Sequence, residues 1–173
     1  MTAFRLFVTN LTKYNDGELV GRWVDFPTTE EEFDKALDNI GALYGDEWFF
    51  TDFDSTLELN MCDWFCEHMS FDEANELAEE IADLDDFDLD LVRNASELVS
   101  LEEAVNHVDE IYFVSDVDDE EELGEYLVHE FWYDELNRMG ALRDYIDYEK
   151  FGRDYTMEAT GMFVDDGWIE CRF

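Results

Sequence analysis

The sequence predicts an α+β protein made of three small domains, α+β over 1–56, helical over 57–109 and α+β over 110–173, with an acidic surface. Segments rich in β-branched and aromatic residues lie near both ends, and helical periodicity fills the middle. Of 173 residues, 48 are Asp or Glu and 10 are Lys or Arg, so the net charge is −38. Leu, Ile, Val and Phe supply 48 residues, about 28% and above the ~20% below which disorder is expected. The acid is therefore expected on a folded surface.

The N-terminal domain is predicted to contain three strands and one helix. Residues 4–9 and 19–26 have strand composition, a turn occupies 15–17, and a third strand lies near 47–53. Thr28 or Thr29 can cap the helix as part of a capping box. Gly41 suits the left-handed position beyond its end. The buried stripe expected on this helix consists of Phe33, Ala36, Leu37 and Ile40.

An acidic helix dominates the predicted central domain. Ser70 and Glu73 form the sequence signature of a capping box at its start. At 100° per residue the apolar arc consists of Ala74, Leu77, Ala78 and Ile81. The opposite arc consists of Asp72, Glu73, Glu76, Glu79, Glu80 and Asp83. Like charges at this spacing cost a few tenths of a kcal/mol each. The helix carries these acids despite the repulsion between them. Either the protein needs negative charge at fixed positions, or the acids serve only to keep it soluble.

Three further helices are expected in the central domain. The apolar residues of the first, which precedes the acidic helix, are Leu57, Met61, Trp64, Phe65 and Met69. The second begins at Asp85 or Asp86, and the third begins at Ser100 with Glu103 as its capping partner. The acid is densest in the middle of the chain, since residues 67–135 hold 26 acids and a single base, Arg93.

The C-terminal domain is predicted to begin with a strand at 110–114. A helix over 119–138 and a shorter one over 142–148 follow. One face of the longer helix is expected to carry Leu123, Tyr126, Leu127 and Phe131. The chain ends in a hairpin, where the pair Asp166 and Gly167 predicts a primed turn.

No catalytic or metal-binding arrangement emerges from the sequence. Carboxylate pairs are so frequent that none is informative. The acidic runs from Asp86 and Asp116 lack the glycine at the sixth position that a calcium loop needs. Cys62 and Cys66 are spaced too loosely to indicate zinc and are expected to be small core residues of a helix. The chain is predicted to be no enzyme and to need no metal or cofactor.

Compartment and partners follow from composition. Neither a signal-like N-terminus nor an 18-residue apolar stretch occurs, and three cysteines do not suggest a disulfide framework. A reduced, cytoplasmic protein without membrane association is expected. Phosphate contact requires Lys and Arg, so direct nucleic-acid binding is not expected and partners should be cationic.

The net charge also favours an elongated shape for the molecule. Duplex DNA carries one negative charge per ~1.7 Å of axis, so 38 charges correspond to roughly 65 Å of duplex. A compact globule of this length has a diameter of about 40 Å. An elongated row of domains, with helix carboxylates about 5–6 Å apart, would match DNA better. The hypothesis is a phosphate-like pattern presented to a DNA-binding protein.

Two alternatives stay open. A halophilic or merely solubilising acidic domain would unfold in low salt. An acidic chaperone or adaptor would bind many basic proteins about equally, whereas a DNA mimic would prefer enzymes with a long, duplex-sized groove.

Two motifs resemble those of a known family. The run from Phe7 to Trp23 contains Asn-Leu-Thr-Lys-Tyr-Asn-Asp-Gly-Glu-Leu-Val-Gly and resembles the opening of ArdA-type antirestriction proteins. The run from Tyr145 to Asp154, Tyr-Ile-Asp-Tyr-Glu-Lys-Phe-Gly-Arg-Asp, resembles the family's second signature. Length, acidity and the closing hairpin agree with this family.

The resemblance implies a DNA mimic carried by mobile elements. Such a protein occupies the DNA-binding groove of type I restriction–modification enzymes and blocks cleavage, and often methylation, of incoming DNA. It would be an elongated, cofactor-free chain that forms a homodimer through its C-terminal domain. The family's antirestriction stretch would run from Ser115 to Asp119 and on to Leu127.

The predicted functional residues form two sets. The phosphate-mimicking acids are Asp72, Glu73, Glu76, Glu79, Glu80, Asp83, Asp86, Asp88, Asp116, Asp118, Asp119 and Glu122. The dimer interface is expected at Phe113, Leu123, Tyr126 and Leu127, which could equally be ordinary core residues.

Overall fold

The computed structural model describes residues 1–43 and 47–173. Within those ranges the chain forms eight α-helices, two short 3-10 helices and two antiparallel three-stranded sheets. It divides into two compact units, Met1–Asn106 and His107–Phe173. The α+β class is confirmed, while the three-domain division with boundaries near 56 and 109 stays a prediction.

The first unit contains a sheet of three strands in the order β2-β1-β3. These are β1 (Phe4–Asn10), β2 (Gly21–Phe26) and β3 (Trp48–Asp54). Both outer strands run antiparallel to β1. Leu6 and Val8 of β1 are fully buried, as the alternation of a half-buried strand requires. The three predicted strands are confirmed.

Two helices accompany this sheet. A short helix that was not predicted, α1 (Leu11–Asn15), follows β1 directly. Its start is capped by the Asn10 side chain, which accepts a hydrogen bond from the Lys13 N–H at 3.0 Å. The predicted helix is α2 (Glu30–Ile40), capped by Thr29 and followed by Gly41 with a φ of 73°. The predicted stripe of Phe33, Ala36, Leu37 and Ile40 is buried.

Three capped helices complete the first unit: α3 (Phe71–Asp83), α4 (Asp86–Ala95) and α5 (Leu101–Asn106). Their starts were expected from capping residues, and the hydrogen bonds confirm this. Ser70 accepts from the Glu73 N–H at 3.2 Å, and Ser100 accepts from the N–H three residues further on at 3.3 Å. The buried residues of α3 are those predicted, namely Ala74, Leu77, Ala78 and Ile81.

The helix predicted just before α3 is wrong, because residues 55–70 form turns and irregular chain. The apolar residues assigned to it are Leu57, Met61, Trp64, Phe65 and Met69. Ser55 and Asn60 accept hydrogen bonds from main-chain N–H groups two residues further on, at 3.2 and 3.1 Å. Such local bonds compete with helical ones. Glu58 has a φ of 58°, outside the right-handed helical region. Met61 and Met69 are nevertheless buried, so these apolar residues contribute to the core without forming a helix.

The second unit begins with a 3-10 helix, Val108–Glu110, and contains a sheet in the order β4-β6-β5. The strands are β4 (Ile111–Ser115), β5 (Thr160–Val164) and β6 (Gly167–Cys171), all antiparallel to their neighbours. The central strand β6 is buried along its length, and its Trp168 is among the largest buried side chains. The predicted first strand and closing hairpin are confirmed.

The primed turn predicted for this hairpin does not form. Its two central residues are Asp165 and Asp166, and neither has the positive φ that a primed turn needs. Gly167 instead belongs to β6 and pairs with Val164. A β-carbon on Gly167 would clash with the carbonyl oxygen of Val114, so this glycine allows the close approach of β4.

Four helical segments connect β4 to β5. They are α6 (Glu120–Phe131), α7 (Tyr133–Arg138), a 3-10 helix (Gly140–Tyr145) and α8 (Tyr148–Thr156). The single helix predicted over 119–138 is wrong, because Trp132 has φ −127° and ψ 29° and interrupts it. The Trp132 ring packs edge-on against Phe151, with centroids 5.5 Å apart.

The short helix predicted over 142–148 is also wrong. Its first residues belong to the 3-10 helix, and α8 begins at Tyr148 because Asp147 accepts a hydrogen bond from the Lys150 N–H at 3.0 Å. Helices α6 and α8 cover one face of the sheet. The core there consists of Val114, Val117, Leu123, Leu127 and Trp168.

Candidate functional site: an acidic surface

The acids of α3 occupy its solvent face. The exposed members are Asp72, Glu73, Glu76, Glu79, Glu80 and Asp83. The buried face of the same helix anchors it in the unit, so these carboxylates are displayed on a fixed element. This exposure agrees with the predicted arc, and their role as phosphate mimics stays a prediction.

Glu73 is held by a complete capping box. Its Oε2 accepts hydrogen bonds from the Ser70 N–H at 2.7 Å and from the Ser70 hydroxyl at 2.9 Å. The bond from the backbone N–H, and then that from the hydroxyl, lowers the pKa of the Glu73 carboxyl below its ordinary value of 4.5. The anionic side chain is therefore both stabilised and oriented.

The first turn of α4 also carries acids. Asp85 accepts hydrogen bonds from the N–H groups of Phe87 and Asp88, both at 2.9 Å. Asp86 is exposed and Asp88 is half-buried. The partial positive charge of the helix start stabilises acids at these positions.

The second unit carries its own acidic group at the start of α6. Asp119 caps this helix by accepting from the Glu122 N–H at 2.9 Å. Glu122 in turn accepts from the Asp118 N–H at 2.8 Å. Asp116, which precedes the helix, has a φ of 59°. All four of these predicted acids are exposed.

None of the twelve predicted acids takes part in an ion pair within residues 1–43 and 47–173. The ion pairs found there use other acids, as in Arg5 with Asp54 at 2.7 Å and Arg93 with Asp90 at 2.6 Å. Carboxylates without nearby cations sum to a negative potential over the surface.

A groove of about 440 Å³ makes part of this surface concave. Glu73, Glu76 and Glu80 of α3 line it together with Glu102 of α5. Glu102 is absent from the predicted set. Its sequence signal was only the capping pair at the start of α5, and its position beside α3 depends on how the two helices pack.

The predicted dimer residues divide into two pairs. Leu123 and Leu127 are 1% and 2% exposed and belong to the core of the second unit. Phe113 and Tyr126 are half-buried, so their interface role stays a prediction. The hydroxyls of Tyr126 and Tyr112 share a hydrogen bond of 2.7 Å. This bond and partial burial raise the pKa of Tyr126 to about 12.

The cysteines do not follow the sequence expectation. Cys62 and Cys66 are exposed and lie in the irregular segment, so their assignment to the core face of a helix is wrong. Cys171 is buried in β6. Across the described ranges, no group of three or more His, Cys, Asp or Glu is placed to hold a metal ion. No described helix has both the length and the apolar character needed to cross a bilayer.

Fold and surface together define an acidic α+β protein whose helices display carboxylates that lack cationic neighbours in the described part of the chain. A family model for "Antirestriction protein (ArdA)" matches residues 6–170, nearly the whole chain. The chain therefore belongs to the ArdA antirestriction family, as its two motifs suggested, and its function is antirestriction. Membership in that family points to restriction–modification enzymes as interaction partners. A comparison with curated proteins finds no match.

Proposed function

We propose that this chain inhibits type I restriction–modification enzymes as a DNA mimic. Its carboxylates would take the place of phosphates in the enzyme's DNA-binding groove. The observation that carries the proposal is the state of the twelve predicted acids, which form no ion pair within the described ranges. Seven of the ten Lys and Arg residues pair with acids outside this set.

Several of these acids are oriented before any partner binds. Glu73, Asp119 and Glu122 each accept a hydrogen bond from a main-chain N–H. A carboxylate that is already fixed loses little conformational freedom on binding. Such acids are suited to meet the Lys and Arg side chains of a preformed DNA groove.

The energy of inhibition would come from many weak contacts. The Cβ atoms of helix acids three or four residues apart are separated by about 5–6 Å, so their carboxylates form a closely spaced row. An exposed ion pair contributes about 1 kcal/mol or less, so no single acid dominates. Both surfaces release counterions when they meet, and inhibition should weaken as salt rises.

The proposal extends to shape, assembly and setting. An elongated row of three domains would spread the 38 charges over a length close to roughly 65 Å of duplex. Pairing of two chains through their C-terminal regions would lengthen the mimic. The protein would act in the cytoplasm as a competitive, cofactor-free inhibitor that catalyses nothing and does not bind DNA itself.

A displacement experiment tests this function. A purified type I enzyme is bound to a labelled duplex containing its site at near-physiological salt, and the chain is added. Stoichiometric loss of bound duplex and of cleavage is expected, with an apparent DNA Kd that rises in proportion to inhibitor concentration. Duplex that stays bound at large excess would rule the mechanism out. Equal affinity for unrelated basic proteins would instead favour an acidic chaperone.

A further inference from the structure

Strand β2 forms one edge of the sheet in the first unit. The bond from the Asn10 N–H to the Val20 carbonyl, at 2.9 Å, fixes which of its residues are hydrogen-bonded to β1. Every second residue of an antiparallel strand bonds the same neighbour, so the even-numbered residues of β2 bond β1. The main-chain groups of Trp23 and Asp25 therefore point outward. Within residues 1–43 and 47–173 no hydrogen bond reaches them.

The opposite edge of the same sheet is partly covered by the chain itself, because the Phe50 N–H of β3 donates to the Glu67 carbonyl at 3.0 Å. Strand β2 has no such cover along its outer groups in the described part of the first unit, yet it is held extended. Its Trp23 ring packs edge-on against Phe7 of β1, with centroids 5.3 Å apart. An unpaired edge of a preformed strand is a template for a further strand, and it loses little conformational freedom on gaining one.

A cleft of about 240 Å³ lies along this edge, between β2 and α2. Val24 of β2 and Ala36 of α2 are among its apolar lining residues, and Glu32 of α2 supplies a carboxylate. Domains that bind peptides by strand addition use main-chain hydrogen bonds for affinity and pockets for alternate side chains for specificity. The outer groups of β2 and the cleft beside them supply these two elements.

The charge of the cleft and of the whole molecule selects a basic segment as the occupant. Two exposed acids, Asp25 and Glu32, and one exposed base, Arg22, line the cleft in a protein of net charge −38. Exposed charges on an edge strand disfavour pairing with an uncharged strand. A second copy of this acidic chain would be repelled. A segment that carries Lys or Arg is instead attracted, and its bases can meet Asp25 and Glu32.

We propose that the outer edge of β2, together with the cleft beside α2, binds an extended segment of a partner protein that carries Lys or Arg. The segment adds to the sheet as a fourth strand and bonds the main-chain groups of Trp23 and Asp25. This contact goes beyond the proposed function, in which side-chain carboxylates and not main-chain groups meet the partner. It uses none of the twelve acids predicted to mimic phosphates.

Titration of the isotope-labelled full chain with a synthetic peptide, followed by nuclear magnetic resonance, tests the proposal. The probe is an end-capped peptide of about seven residues in which Lys alternates with Val, at about 0.15 M salt, where distant charges are screened. Saturating peptide should slow hydrogen exchange of the Trp23 and Asp25 amides at least about tenfold. The matched control peptide is N-methylated throughout, which removes its N–H donors and keeps its charge. It should bind at least about tenfold more weakly.

Variants of the chain separate main-chain pairing from charge attraction. Asp25→Pro removes the outward N–H, which an edge strand tolerates, whereas Asp25→Asn removes the same charge and keeps that N–H. The proline variant should bind the peptide at least about tenfold more weakly than the asparagine variant. In the cleft, Glu32→Lys should weaken binding at least about threefold. Asp34→Lys makes the same charge change on roughly the opposite side of α2 and should have a smaller effect.

Equal binding of the methylated and unmethylated peptides would overturn the proposal, as would exchange of the Trp23 and Asp25 amides that the peptide leaves unchanged. Equal affinities of folded Asp25→Pro and Asp25→Asn variants would do the same. Circular dichroism checks the fold of both, and the two peptides decide the matter if the proline variant unfolds. None of these measurements contains a restriction enzyme, so strand addition and DNA mimicry stand or fall separately.

Discussion

Gly124 of α6 and Gly152 of α8 lie against each other where the two helices cross. A β-carbon on Gly152 would clash with the carbonyl oxygen of Glu120 and come within 3.0 Å of the Gly124 nitrogen. A β-carbon on Gly124 would clash with the Tyr148 carbonyl. The two backbones therefore touch, and α8 holds the first turn of α6. Gly152 belongs to the second family motif, whereas the turn that it contacts carries the acidic group around Asp119.

Gly152→Ala is expected to destabilise the second unit strongly. The added methyl group meets main-chain atoms, which cannot move aside as a flexible side chain would, so the cost should reach about 3 kcal/mol. Denaturant unfolding measures it. Gly17→Ala is a useful comparison, because Gly17 has a φ of 86° but nothing within 4 Å of its β position. It should cost only about 1 kcal/mol. Equal costs would show that the helix contact is not tight.

Ser70→Ala should destabilise the first unit by about 1 kcal/mol at neutral pH through loss of the helix cap. The bonds from Ser70 lower the folded-state pKa of Glu73 below 4.5. Their contribution is therefore present above pH 4.5 and is lost as the pH falls through the lower folded value. The difference between variant and wild type should shrink in acid. Ser115→Ala, at an exposed strand end, serves as the control. A difference that is independent of pH would contradict the assigned cause.

Tyr126 should titrate about two pH units later than an ordinary tyrosine, since its pKa is about 12 rather than 10.0. The folded state favours the neutral phenol, so its stabilisation is intact below pH 10 and is lost as the pH rises towards 12. Tyr112→Phe removes the hydroxyl that bonds Tyr126 and should lower the pKa of Tyr126 towards 10. Tyrosinate absorbance follows the titration. Tyr145→Phe, at an exposed ring, should leave the late titration unchanged.

The chain should stay folded when salt is removed. Helix α3 is anchored by the buried side chains of Ala74, Leu77 and Ile81, and side chains cap the starts of α2, α3, α4 and α6. Repulsion among the acids lowers the free energy of unfolding, but it does not remove these contacts. Far-ultraviolet circular dichroism in about 0.01 M and about 1 M salt should show the same folded spectrum. Unfolding at the lower salt would favour a halophilic protein.

The structure follows from the sequence where one local interaction decides it. Ser70 with Glu73, Thr29, and Gly41 all act within a few residues, and the helices that they delimit form as expected. The structure differs from the prediction where apolar spacing alone indicated a helix. Met61 and Met69 are buried without being helical, since the side chains of Ser55 and Asn60 capture the local N–H groups.

The candidate site was predictable in part for the same reason. Helical periodicity identifies which side of α3 carries acid, whereas the absence of ion pairs depends on where every Lys and Arg comes to lie. Glu102 joins the α3 acids only through packing of α5. Trp132, where α6 ends, packs its ring against Phe151 of α8, about 20 residues further along the chain. Contacts between residues far apart in the chain produce no periodic pattern in the sequence.

The central claim is that unpaired helix acids bind the enzyme in place of phosphates. A variant that neutralises α3 carries Asp72→Asn, Glu76→Gln, Glu79→Gln, Glu80→Gln and Asp83→Asn. A matched control neutralises five ion-paired acids instead, with Glu18→Gln, Glu31→Gln, Asp54→Asn, Asp90→Asn and Glu135→Gln. Each variant removes five negative charges, and the two variants differ only in which acids are neutralised. Glu76→Lys alone should change affinity less than about fivefold.

Displacement of a labelled duplex from a type I enzyme, with these two variants compared side by side at one salt concentration, is the most direct measurement. At about 0.5 kcal/mol for each acid, the α3 variant should lose at least about tenfold in potency. The matched control should lose less than about threefold. An α3 variant as potent as wild type, or two variants weakened equally, would contradict the claim that these carboxylates stand in for phosphates.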